Sequence, residues 1–172
     1  MEPTILGGSP LVRIREKRMK TAKVLHAVTL IGACLFAASL AVAADNCTGY
    51  DTLVTLSAET LDLGNKHTLT VFRSASMLIS DDPRYHLTTG ECSGTTLTTP
   101  DGKARSSGHC ARRDKDADTY SLEWSLAAGA DKGTWKSIDG TGKFAGKIDS
   151  GWWQSVRTDG KMFVNKWGGT CK

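Results

Sequence analysis

From residue 44 onward, no stretch of this 172-residue chain keeps a helical spacing of apolar residues for three turns. A surface helix needs such a stripe to bury itself, so helical bundles and α/β layers are excluded first. In their place stand short runs rich in Thr, Val and aromatic residues, separated by Gly and Asp-Gly. These runs cover 53–58, 67–79, 85–97, 103–112, 119–126, 133–138, 144–156 and 161–167. About eight strands at this spacing predict an all-β antiparallel meander, closed as a barrel or paired as a sandwich. Leu122, Trp124 and Leu126 alternate with Ser121, Glu123 and Ser125, and Leu69, Val71 and Ala75 with Thr68, Thr70 and Ser74, although Phe72 breaks this second pattern. Each pattern predicts a strand with one wet face.

The first 43 residues read differently. Met19-Lys-Thr-Ala-Lys-Val-Leu is a basic segment followed by an apolar stretch that ends in Ala41-Val42-Ala43. Small residues at −3 and −1 suit signal peptidase, so residues 1–43 are expected to be a signal peptide, with Met19 an alternative start. Two competing readings are an uncleaved anchor, since about 20 apolar residues span a bilayer, and lipidation at Cys34. Cleavage places the domain at 44–172 and the protein in the periplasm or outside the cell. The charge follows this division. Residues 1–43 hold six Lys/Arg and two acids, whereas 44–172 hold 16 of each sign, so the domain is neutral. Neutrality excludes a nucleic-acid binder that works by releasing counterions from phosphates.

Cleavage also removes Cys34 and leaves Cys47, Cys92, Cys110 and Cys171. Four cysteines in a small exported domain predict two disulfides, with three connectivities to choose from. No pair has the C-x2-C spacing of a zinc site. The turn Thr99-Pro100-Asp101-Gly102-Lys103 selects among the three. Pro at i+1 and Gly at the left-handed position predict a three-residue hairpin loop with Thr99 opposite Lys103. Seven steps along each strand from that pair bring Cys92 opposite Cys110. Gly94 opposite Gly108 is where a bulge would break this register. The second bridge is then Cys47–Cys171, which ties the first strand to the last and favours a closed barrel over a sandwich. Apolar and aromatic residues make up about a third of the domain, a thin core. Loops of these lengths contribute roughly 3 and 4.7 kcal/mol on the chain-entropy model and so compensate for it.

Few constellations carry chemistry. Gly140-x-Gly142-x-x-x-Gly146 lacks the following helix that a phosphate cradle needs, so no cofactor is expected. Asp114, Asp116 and Asp118 have the spacing of calcium-loop ligands. However, Thr119 stands at the glycine position, Ser125 at the bidentate position, and Arg112, Arg113 and Lys115 lie beside them, so no metal site is expected. His67, His86 and His109 are not tied by sequence to any serine or acid, and no catalytic residue is assigned. All five tryptophans fall in the second half. Trp152 and Trp153 must face opposite sides of one strand, so one is inward and one outward. Trp124, Trp135, Trp152 and Trp153 are the ligand-contact candidates.

One stretch carries a resemblance. Asp139-Gly140-Thr141-Gly142-Lys143-Phe144-Ala145-Gly146 resembles the G-G-T-G-K-F-x-G turn of allene-oxide-cyclase-like and dirigent-like barrels. Gly90-Glu91-Cys92 and Asp114-Lys115-Asp116-Ala117-Asp118 are similar to the G-x-C and D-x-D-G-D elements of small exported bacterial members, with Ala117 in place of glycine. The resemblance spans 85–151 and implies an eight-stranded antiparallel barrel with a central cavity. No catalytic residue of the cyclases aligns. The expected role is non-enzymatic: binding of a small apolar ligand in the barrel, or of a partner protein. The alternatives are isomerase or cyclase chemistry in the cavity, by fold analogy, and a periplasmic inhibitor.

Overall fold

The computed structural model describes residues 46–172, and the expected signal peptide lies outside the described residues. Eight strands follow in chain order: β1 (Cys47–Gly64), β2 (His67–Ser80), β3 (Thr89–Thr98), β4 (Ala104–Arg113), β5 (Thr119–Leu126), β6 (Gly133–Gly140), β7 (Ser150–Asp159) and β8 (Met162–Thr170). Each pairs antiparallel with the next, and β8 pairs back onto β1 from Cys47↔Gly169 to Val54↔Met162. The sheet is therefore a closed barrel, which leaves no edge where the closure holds.

The hairpin register is the expected one. Thr99 N–H donates to the Lys103 carbonyl at 2.9 Å, and Gly102 sits at φ +78°. Cys92 pairs with Cys110 at a Cα separation of 4.0 Å, as suits facing residues of a non-hydrogen-bonded pair. Gly94 faces Gly108 without a bulge. The second disulfide joins Cys47 to Cys171. At the β7–β8 turn, Gly160 has φ +59° between Asp159 and Met162.

Three expectations are corrected. Tyr85 is not in a strand, because β3 begins at Thr89 and Tyr85 belongs to the preceding loop. Phe144 is likewise not in a strand. It ends a 3-10 turn (Gly142–Phe144), and β7 starts at Ser150. Both rings are buried at one end of the barrel, where they cover the apolar interior. The third correction concerns the faces of β2. Val71 is 45% exposed on the outside, whereas Ser74 is 3% exposed on the inside. Leu69 and Ala75 therefore share the outer face with Val71, and the inner face carries Thr70 and Ser74 together with Phe72 and Leu78.

The two barrel ends differ. At the base, Cys47, Leu78, Tyr85, Tyr120, Phe144, Trp167 and Cys171 form the buried core. Tyr85 packs against Tyr120 at 5.2 Å, Phe144 at 5.4 Å and Trp167 at 6.3 Å between ring centroids. Its hydroxyl donates to the buried Asp149 carboxylate, which also accepts from the Lys172 N–H at 2.7 Å. Burial and that carboxylate hold the Tyr85 phenol in its neutral form, well above its ordinary pKa. The other end is formed by the four hairpin turns, and among the described residues it has no such plug.

Candidate functional site

The lumen holds a cavity of about 530 Å³. Its walls follow from the two-residue period of the strands, since every second side chain faces the axis. The strands contribute unequally. β5–β8 supply Leu122, Trp124, Leu126, Trp135, Trp153, Phe163 and Trp167, whereas β1–β4 supply Leu53, Phe72 and Leu78 among smaller or hydroxyl side chains such as Thr55, Ala58, Thr70, Ser74, Thr96 and Ser106. An eight-stranded barrel is narrow enough for side chains alone to fill, and the small residues of β1–β4 are what keep this one from filling. Ala58 and Thr158 line the cavity near the hairpin end and are exposed, so the cavity opens there and is shut at the base.

The indoles are seated by glycines. Gly108 lies beside Trp124 in register, and Gly94 lies one strand further on. A Cβ at either position would come within 2.6 Å of the Trp124 ring. Gly151 and Gly169 do the same for Trp135, at 2.8 Å. The rings can therefore lie flat against the inner wall and leave the axis clear. Trp124 meets Trp153, and Trp135 meets Trp167, edge to face with centroids 5.9 Å apart in both pairs.

Of the candidates from the sequence, Trp124, Trp135 and Trp153 line the cavity. Trp152 faces outward, half-buried, with the Lys132 ammonium 4.3 Å from its ring centroid. Trp167 lines the cavity too and is absent from those candidates. Gly49 lies opposite it on β1 and gives its ring room, a pairing that only the closure of the barrel reveals.

An ion pair lies on the cavity floor. Arg112 Nη2 donates to Asp51 Oδ2 at 2.6 Å and lies 3.7 Å from the Cys92 sulfur. Burial works against the Arg112 charge, and Asp51, with Tyr120 beside it, more than offsets that burial, so its pKa is raised. Below the floor, burial likewise keeps Tyr120 protonated.

The other chemistry-bearing groups lie apart from the cavity. The Asp114–Asp118 turn is held internally. Asp114 pairs with the Lys143 ammonium and accepts N–H bonds from Asp116 and Asp118, each at 2.9 Å. Lys143 thus stands where a cation would. Ala117 takes φ +68°, the left-handed region that glycine would occupy more easily. His109 stands between Ser93 and Glu123 in register on the outer face, which sequence alone did not show. All three are exposed, and no hydrogen bond joins them. Among the described residues, no group of three His, Cys, Asp or Glu is placed to hold a metal ion.

Site and fold together define a closed eight-stranded antiparallel barrel with an aromatic cavity open at one end. No family model matches the chain, and no curated protein matches it. Among solved structures, a pterocarpan synthase dirigent protein matches with a TM-score of 0.47 and 11% identity, covering 73% of this chain and 86% of that one. The barrel assignment itself rests on the pairing of β8 with β1.

Proposed function

We propose that this protein is an exported binding barrel that takes a small apolar ligand into its lumen. The observation that carries this reading is the 530 Å³ cavity walled by four indoles and open at one end. Sites for small molecules are concave and mostly apolar, with a few polar groups to orient the ligand, and here Asp51, Arg112 and Asn165 supply those. Export is supported by the two disulfides, which persist in oxidising compartments. Amino-terminal sequencing of protein from its native host should begin near Ala44.

A screen of lipids and other apolar metabolites tests the ligand reading. A ligand in the cavity touches indoles, so it should shift tryptophan emission. It should also raise the melting temperature, because it binds only the folded state. If no compound moves either, recognition through the outer surface around Trp152 replaces the container.

A further inference from the structure

The barrel closure covers only part of β1. This strand runs 18 residues, yet its ladder with β8 ends at Val54↔Met162, followed by one bond from the Thr55 N–H to the Lys161 carbonyl at 2.8 Å. A bulge at Leu56 follows, and β1 continues to Gly64 paired with β2 alone. β2 has β3 on its other side as far as Thr68↔Thr98. Residues 56–64 are therefore a strand edge with no neighbour among the described residues.

The direction of the free groups follows from chirality. In a strand of L-residues, side chains on one face all aim their main-chain N–H and C=O to the same side. Thr55 faces the lumen and donates toward β8. Ala58 also lines the lumen, and Thr60 shares that face, its hydroxyl 2.9 Å from that of Thr70. Ala58, Thr60 and, by alternation, Asp62 thus present their main-chain groups to the side that β8 leaves. Beside this row Leu56, Leu61 and Leu63 are 52%, 44% and 53% exposed.

An edge of this length is a template for another strand unless something blocks it. Residues 56–64 contain neither Pro nor Lys, and they carry two acids, Glu59 and Asp62, with no base. Pairing with the same edge of a second copy would bring like charges together, whereas a basic strand would meet opposite ones. We propose that the free edge of β1 takes up an extended, basic segment of a partner protein as a ninth strand. Main-chain bonds at Ala58, Thr60 and Asp62 supply the affinity, the exposed leucines pack against apolar side chains, and Glu59 selects for Lys or Arg.

The experiment uses isotope-labelled protein and three synthetic peptides: alternating Lys–Val, alternating Glu–Val, and the Lys–Val peptide with its amides N-methylated. The Lys–Val peptide should shift the amides of Ala58, Thr60 and Asp62 and protect them from exchange. It should bind about tenfold or more tightly than either control, and Glu59→Lys should abolish its advantage over Glu–Val. Three outcomes would overturn the proposal. One is a dimer in which these amides are protected without peptide. Another is a peptide effect confined to the cavity tryptophans, and the third is no change at these amides with millimolar peptide.

Discussion

Asp51 on β1 and Arg112 on β4 meet at 2.6 Å across the lumen, although two strands separate them around the wall. The Arg112 side chain is only 2% exposed, so its charge depends on that one carboxylate. Removing one partner of a buried pair leaves an uncompensated charge, whereas replacing both with apolar groups is often neutral or stabilising. Asp51→Asn should therefore cost about 3–5 kcal/mol, and Asp51→Leu with Arg112→Met should be no less stable than the parent. Urea unfolding midpoints decide this, and a harmless Asp51→Asn would show that the pair does not hold the barrel.

Gly94 gives room to Trp124. In Gly94→Ala the new Cβ would lie 2.6 Å from both the Ser107 carbonyl oxygen and the indole, so the β4 backbone must give and the ring is pushed toward the axis. Overpacking of this kind costs about 1–3 kcal/mol. The variant should unfold at lower urea, show altered tryptophan emission, and lose capacity for any ligand found in the screen. An unchanged emission spectrum would mean that the wall moves and the ring does not.

Gly160 tests backbone conformation alone. Its φ is +59°, and nothing lies within 4 Å of where a Cβ would stand. Gly160→Val should then cost about 1 kcal/mol or more, purely from the left-handed backbone. A neutral unfolding midpoint would contradict the turn.

The Asp114–Lys143 pair should appear as acid sensitivity. Lys143 and two N–H donors hold the Asp114 carboxyl below its ordinary pKa. A depressed folded pKa stabilises fully above the unfolded value, about 4, and that stabilisation is lost as pH falls through the folded value. Stability of the parent over Lys143→Met should accordingly be largest near pH 7 and shrink toward pH 3. A gap that stays constant over this range would assign the effect to packing of the lysine stem on Phe144.

Local chemistry in the chain was enough for much of this protein. The absence of helical periodicity, the Asp-Gly turns and the Pro-Asp-Gly loop determined an antiparallel meander. The hairpin register brought Cys92 to Cys110 and so left Cys47 for Cys171, because loop geometry and a period of two act between near neighbours in sequence. Only the tertiary structure decided which face of each strand is the inner one. In β2 Leu69, Val71 and Ala75 lie on the outer face, whereas Thr70, Phe72, Ser74 and Leu78 line the lumen, because closure of the barrel and not the local pattern sets which side faces the indoles of β5–β8. Tyr85 and Phe144 have the propensity of strand residues, yet they fold over the base, since covering the open end of a barrel depends on what stands across it. The same holds for Asp51 and Arg112, which are 61 residues apart in the chain. Nothing in either neighbourhood indicates a partner, and only closure of the barrel brings the two charges together where water is excluded.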